Sequence, residues 1–432
     1  MNREATPAGA LGRLRWWGRR LAAAVRSGLA PARAPRPATG PVAELEPLLA
    51  EARAPRGGET SARERAQRIA ALYRSAGPAE RAAILGHIGR AFMPERAALD
   101  AAVAAMHEAA DDVARGHAEA QLRIALDAPR AKFFAQFNLL PEGVKFLVDL
   151  RADLLAFLER EPALDVLRVE LDGLLESWFD PGFLELRRIT WQSPALVLEK
   201  LIAYEAVHRI ESWDDLKNRL DRDRRCYAFF HPRMPNEPLI FVEIALAKGL
   251  PGSVQVLLDP QAPIGEVRAA DTAVFYSISN AQKGLRGISL GNLLLKRVIA
   301  DLQKDLPWLK TFCTLSPLPK FRRWLERAAP ELAREAAPRE AQREPLLKAC
   351  ARYLVQQKTG GLTLDPVAQF HLHNGASVDR IFWMADASER GLAQSCGLMV
   401  SYRYDLGEVD RNHEEFLASG RVAAAKRVLR LL

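Results

Sequence analysis

Between about Ser61 and Phe179, apolar residues recur at helical spacing. Leu147, Leu150, Leu154 and Leu158 fall at i, i+3, i+7 and i+11, and Leu167, Leu171, Leu174, Leu175 and Trp178 repeat the rhythm. Breakers interrupt it at Gly77-Pro78, Pro94, Pro129, Pro141-Glu142-Gly143 and Glu161-Pro162. The spacing predicts a bundle of several helices over residues 61–180. His87, His107 and His117 lie inside it without a carboxylate or cysteine partner at metal-ligand spacing, so the bundle reads as a packing or oligomerisation unit with no visible chemistry.

After about Asp180 the texture changes. CYAFFHP (226–232), LIFVEIALA (239–247), SVQVLLD (253–259) and TAVFYSIS (272–279) are β-branched and aromatic runs bounded by Pro, Gly and Asn, and read as strands. QKGLRGISLGN (282–292) follows, then a helix with Leu294, Val298, Ile299 and Leu302 on one face, closed by Pro307. LKTFCTLSP (309–317) predicts another strand, with a helix carrying Phe321, Trp324 and Leu325 behind it. Charged helical sequence fills 326–358, and a strand-rich section runs from Thr363 to Tyr404. Strand, glycine loop, helix, strand, helix is the order of an α/β layer arrangement.

Charge changes the picture less than the total suggests. The chain of 432 residues carries 61 basic and 53 acidic side chains, a net +8. Residues 1–40 hold eight arginines against Glu4, which is +7; the remainder holds 53 basic and 52 acidic residues. A nucleic-acid surface would need a basic face on the folded body, and the count gives no sign of one. Residues 1–60 are rich in Ala, Arg, Pro and Gly and read as a disordered tail. The stretch from Leu14 to Val25, with Trp16 and Trp17, is compatible with a transit peptide, a membrane-surface helix or a plain solvated extension. No run of 18 uncharged apolar residues exists, so no transmembrane helix is expected. Cys226, Cys313, Cys350 and Cys396 are scattered without a CxxC pair, which fits a reducing compartment, here the cytoplasm, with an organellar address left open by the tail.

The candidate chemistry lies in the second half. Gly287 and Gly291 bracket Ile288-Ser289-Leu290 between a predicted strand and a helix, where bare backbone N–H groups and a positive helix end suit an anion. Lys283, Arg286, Lys296 and Arg297 surround it. Neither a Walker motif nor the G-x-G-x-x-G spacing is present, so a phosphate site and a simple turn both remain open. Ser316 sits in TLSP at the C-terminal end of a predicted strand, without a G-x-S-x-G elbow; it is either a ligand-facing serine or a strand terminator. His371 and His373 form an HxH on what reads as an extended segment from Phe370 to Asn374, with both rings on one side. No third ligand is near, so an acid–base histidine is favoured over a metal site.

Arg286-GISLG-Asn292 followed by a long amphipathic helix resembles the pyrophosphate loop of the CoA-dependent N-acetyltransferase (GNAT) fold. FYSISNAQKGLRGISLGNLLLKRV, TLSPLPKF, DPVAQFHLHNGA and MADASERGLAQSCGLMVSYRY, in that order, resemble the malonyl-CoA decarboxylase family over roughly residues 60–405. The resemblance implies an α+β chain of two domains behind the tail: an all-α bundle (61–180) and a GNAT-like α/β catalytic domain with a mixed central sheet (181–432). It implies Ser316 and His371 as the catalytic pair, with the substrate held by Arg286, Gly287, Ile288, Ser289, Leu290, Gly291 and Asn292 as well as by the pair itself. His373 stands where family members often carry glutamine and receives no catalytic duty. Asn374 and Arg390 are secondary candidates for positioning. The family also forms tetramers through its helical domains, which implies a homo-oligomer.

Those residue types fit decarboxylation of malonyl-CoA to acetyl-CoA and CO2. The malonyl carboxylate must leave water for a poorly solvating pocket, and the resulting enolate needs donors, expected among the backbone N–H groups of residues 276–282. A proton must then reach C2; the resemblance makes the serine the acceptor and the histidine the donor. The thioester is the electron sink, so no metal, biotin or pyridoxal is expected. Two competitors stay open: an acyltransferase using the same loop, and a non-catalytic CoA-ester sensor.

Overall fold

The computed structural model describes residues 40–53, 58–126, 129–288, 290–335 and 337–432. Its first half is helical: Pro41–Arg53, Glu59–Ser75, Pro78–Ala91, Arg96–Glu108, Asp112–Leu126, Pro129–Ala135, Gly143–Phe157 and Asp165–Trp178. The boundaries follow the expected breakers. Gly77 sits at the N-terminus of its helix with Pro78 in the first turn, and the Glu80 carboxylate accepts from Gly77 N–H at 2.8 Å. Leu147, Leu150, Leu154, Leu167, Leu171 and Leu175 are all buried, so the rhythm read from the sequence is the core-facing stripe.

One boundary moves. The tail expected to reach residue 60 contains a helix, Pro41–Arg53, which buries Leu45, Leu48 and Leu49. The prolines and arginines around it masked an apolar i, i+3, i+4 set that docks on the bundle. Residues 1–39, with the arginine-rich segment, lie outside the described residues.

The second half is built on a seven-stranded mixed sheet. Its strands are β1 (Glu185–Ile189), β2 (Arg224–Phe230), β3 (Ile240–Ala247), β4 (Thr272–Asn280), β5 (Thr311–Thr314), β8 (Ser377–Phe382) and β9 (Met399–Arg403), with a separate two-residue pair, β6 (Lys358–Thr359) and β7 (Leu362–Thr363). The sheet order is β1-β2-β3-β4-β5-β9-β8. β1 to β4 form an antiparallel meander, β4 and β5 run parallel, and β9 returns antiparallel to β5. The helix Gly291–Asp305 makes the crossover between the parallel strands. The cluster of buried apolar residues that includes Leu45 and Leu147 continues through Phe275, Leu294 and Val298 to Tyr402 and Tyr404, so helical region and sheet share one interior, with two further clusters packed about the sheet.

Two sequence expectations fail for local reasons. SVQVLLD is a helix, Val254–Leu258, with Ser253 capping it by accepting from Gln255 N–H at 3.2 Å. Val254 and Leu257 are buried at i, i+3 while Val256 is 62% exposed, the reverse of what strand alternation demands. The segment around the HxH is likewise helical, Pro366–His373. Asp365 accepts from Val367 and Ala368 N–H at 2.9 and 3.2 Å, and Pro366 occupies the first turn. Two residues along a helix are turned by roughly 200°, so His371 and His373 point apart. His371 goes into the core, while His373 packs edge-on against His413 with ring centroids 5.2 Å apart.

Candidate active site

The parallel pairing of β4 and β5 ends at Phe275 opposite Thr314. Beyond it Leu315 N–H still reaches the Phe275 carbonyl at 3.0 Å, but Ser316 has already turned to β9. It exchanges two backbone hydrogen bonds with Val400, both 2.9 Å. On the other side, β4 carries a bulge against β3: Glu243 faces Ser277 and Ile244 faces Phe275, so Tyr276 is the extra residue. Bulge and departure together part the two parallel strands on the C-terminal side of Phe275 and Thr314, where open α/β sheets place ligands.

Ser316 and His371 meet at this point. Their Oγ and Nε2 atoms are 3.1 Å apart although 55 residues separate them in the chain. Both are buried, 6% and 2% exposed. The Ser316 hydroxyl donates to Thr314 Oγ1 at 2.9 Å, and the same oxygen accepts Tyr402 N–H at 3.1 Å. With its proton turned to Thr314, the serine offers its lone pairs to Nε2–H, which leaves Nδ1 to accept from the Tyr404 hydroxyl at 2.8 Å. The imidazole also lies over the Tyr402 ring, with centroids 4.6 Å apart and planes 23° apart.

Burial decides the charge state. Desolvation pushes the His371 pKa down to about 3, so the ring is neutral in the free protein at physiological pH. Burial likewise raises the Tyr404 and Tyr402 hydroxyls well above the usual phenol range. The helix that carries His371 is anchored by Asp365, whose second oxygen accepts from Tyr353 at 3.2 Å.

The glycine loop behaves as a backbone device. A short 3-10 turn, Lys283–Leu285, precedes Gly287, whose φ of +92° is a conformation that other residues rarely adopt. Arg286 and Gly287 are exposed. Leu290 is buried and Ile288 packs on the core, and their N–H groups are already donated within the loop, Ile288 to the Leu285 carbonyl and Leu290 to the Ile288 carbonyl, both at 3.0 Å. Ser289 and the side chain of Asn292 lie outside the described residues, and Gly291 begins the crossover helix. The ring of four cations expected here is thinner than the sequence suggested. Lys296 pairs with Asp410 at 2.9 Å, and Arg297 donates to the Leu184 carbonyl at 2.9 Å and lies over Phe229; each faces a helix side fixed by the 3.6-residue repeat rather than the loop.

Of the secondary candidates, Asn374 closes the His371 helix: its Nδ2 donates to the Phe370 carbonyl at 2.8 Å, while its buried Oδ1 has no partner. Arg390 donates to the Ala206 and Val207 carbonyls at 2.6 and 3.2 Å, so it holds a loop. Sequence reading missed Thr314, Tyr402 and Tyr404. Tyr402 and Tyr404 share the i, i+2 spacing that puts two rings on one face of a strand, which is the signal that marked them.

Helical region, mixed sheet and buried Ser–His pair at a parted strand junction define a two-part α+β protein, an all-α region followed by a mixed-sheet α/β domain that carries the site. The chain belongs to the malonyl-CoA decarboxylase family. The family's N-terminal domain model matches residues 92–179, and its C-terminal domain model matches 182–337 and 328–432. Mitochondrial malonyl-CoA decarboxylase of Rattus norvegicus is 37% identical over 403 residues, covering 82% of each chain. That of Anser anser anser is 38% identical over 357 residues, covering 72% of this chain and 71% of its own. Among solved structures, malonyl-CoA decarboxylase from Rhodopseudomonas palustris superposes with a TM-score of 0.84 at 39% identity, over 91% of this chain and 100% of that one. The Agrobacterium vitis structure gives 0.81 at 39% identity, over 89% and 98%.

Proposed function

We propose that this chain converts malonyl-CoA to acetyl-CoA and CO2, with Ser316 and His371 as the catalytic pair. The observation that carries this reading is the 3.1 Å approach of Ser316 Oγ to His371 Nε2 where β4 and β5 part. The loop around Gly287 takes the pyrophosphate end of the substrate, with Arg286 beside it. The pantetheine arm runs between the parted strands, and the malonyl carboxylate reaches the pair.

Both groups are donors that a carboxylate can use once it has been stripped of water. Taken from solvent into so buried a site, it loses hydration that favours the anion, and loss of CO2 relieves this. The electron pair of the breaking C–C bond passes to C2 and is delocalised onto the thioester oxygen, which backbone N–H groups of residues 276–282 receive. A proton taken up from solvent with the anionic substrate makes the ring an imidazolium, whose Nε2 proton then closes C2 as a methyl group; the neutral ring left behind keeps Nδ1–H, donated to the Tyr404 hydroxyl oxygen. The substrate's own charge favours the protonated imidazole, opposing the burial that keeps it neutral in the free protein.

The test is malonyl-CoA with no acyl acceptor. This reading expects acetyl-CoA and CO2 in equal amounts. Intact malonyl-CoA, with turnover only when an amine is added, would assign the fold's acyltransferase chemistry instead; tight binding without turnover would make the chain a sensor.

We also infer a homo-oligomer, tetrameric as the family resemblance implies. The hairpin Arg96–Glu108 and Asp112–Leu126 exposes Val103, Val113 and Ile124, the last two on one face of their helix, and a second copy of the bundle would cover these side chains. Light scattering of the purified chain reads this directly, and a monomer would refute it. For location we favour the cytoplasm, on the reducing compartment that four scattered cysteines fit; among the described residues no helix is long and apolar enough to cross a membrane. The curated relatives are named as mitochondrial, so fractionation with and without residues 1–39 is the test.

A further inference from the structure

The helical region looked chemically silent, yet it reaches the glycine loop. Arg151, in the helix Gly143–Phe157, is 3% exposed. Its Nε donates to Asp172 Oδ1 at 2.7 Å, and Asp172 is itself steadied by Arg168 at 2.6 Å. The far end of the guanidinium is spent on the loop backbone. Nη1 donates to the Gly284 carbonyl in a very short contact, and Nη1 and Nη2 both donate to the Arg286 carbonyl at 3.1 Å. Gly284 is pressed on the same helix: a Cβ there would stand 1.7 Å from the Val148 carbonyl oxygen.

Peptide geometry turns this into a statement about the opposite side of the loop. A trans peptide holds its C=O and the following N–H antiparallel. The carbonyls of Gly284 and Arg286 face Arg151, so the N–H groups of Leu285 and Gly287 face away from it. Leu285 N–H is taken by the Gln282 carbonyl at 3.0 Å. Gly287 N–H is thereby aimed outward, at the glycine whose φ of +92° opens the loop. A cation on the Arg286 carbonyl also polarises that peptide and makes its N–H a stronger donor to an anion. Burying a guanidinium costs free energy that an apolar residue would not; here the cost coincides with a fixed shape for an anion-binding turn.

We propose that Arg151 is a positioning residue for recognition of the nucleotide end of the CoA ester, so that the helical region supplies half of the phosphate site from behind. The proposal rests on the reading that the Gly287 loop binds that end. It predicts a selective defect. Arg151→Gln should raise KM for malonyl-CoA by about tenfold or more, the scale of a charge-assisted hydrogen bond, with kcat within about threefold. With malonyl-N-acetylcysteamine, a thioester that lacks the nucleotide, kcat/KM should change far less.

Both substrates should be run on the wild type, Arg151→Gln, Arg151→Lys and Asp172→Asn, with calorimetric titration of CoA alongside. Asp172→Asn loosens Arg151 without touching the loop and should show the same selectivity at smaller amplitude; it carries the test if Arg151→Gln does not fold. Arg151→Lys, able to reach one carbonyl but not fork to two, should fall between wild type and Arg151→Gln. Equal losses on both thioesters would overturn the proposal in favour of a merely structural arginine. So would unchanged KM and CoA affinity. A wild type that decarboxylates neither thioester would instead sink the assigned function, while CoA titration would still report on Arg151.

Discussion

The Tyr404 hydroxyl lies 2.8 Å from His371 Nδ1, on the opposite side of the ring from Ser316 Oγ at 3.1 Å. The imidazole is thus gripped at both nitrogens, and its tautomer follows from where each hydroxyl sends its proton. Tyr404→Phe keeps the ring and its packing but leaves Nδ1 without a partner. Its kcat for CO2 release should fall by roughly tenfold to a hundredfold with little change in KM, the pattern of an orienting group lost. Unchanged kcat would show that Tyr404 does not orient the ring.

Thr314 tests the same site from the serine's side. Its Oγ1 accepts both the Ser316 hydroxyl and Tyr402 N–H. Thr314→Val is nearly isosteric, yet it strands a buried amide and frees Ser316 to rotate. Chemical denaturation should show a loss of about 1–3 kcal/mol, the cost of an unsatisfied buried donor, together with a lower kcat. A stable variant with full activity would contradict the arrangement.

The pH dependence has a definite sign. Folding lowers the His371 pKa from 6.5 to about 3, so the folded protein favours the neutral ring. That contribution to stability is complete above 6.5 and is lost as pH falls from there towards 3. Free His371 keeps one charge state from about pH 5 to 8, so kcat/KM should show no histidine limb there, while a limb in kcat should lie at higher pH because the bound carboxylate stabilises the cation. A kcat/KM limb near 6.5 that shifts in Tyr404→Phe would contradict a neutral, buried ring.

Arg286 is exposed at the mouth of the loop. Arg286→Glu reverses a charge beside the pyrophosphate, so KM for malonyl-CoA should rise by about tenfold or more with kcat nearly kept. Steady-state kinetics at two salt concentrations reads this, since the effect of an exposed charge shrinks as salt rises. An unchanged KM would move the nucleotide elsewhere.

What was legible in the sequence follows from range. Leu147, Leu154 and Leu171 announce their helices because a helix repeats its neighbours, and β4, the glycine loop and the crossover helix form one continuous stretch. The HxH was misread because Phe370 and Leu372 alternate with the histidines like a strand. Asp365-Pro366, a cap and first-turn pair, carried the correct message. Ser316 and His371 were marked by their motifs, but not their contact, nor the part of Tyr404. That geometry exists only once β9 pairs with Ser316 and a helix over 50 residues downstream of it delivers the ring. Arg151 is further still: no local pattern links a helix surface to a loop 133 residues away.

The most direct measurement is CO2 release from malonyl-CoA by the wild type, Ser316→Ala, His371→Ala and the double variant. If hydroxyl and imidazole act as one unit, His371→Ala loses at least about a hundredfold in kcat, and adding Ser316→Ala costs much less than its single effect. Near-wild-type release by His371→Ala, or two losses that simply multiply, would contradict a shared catalytic pair.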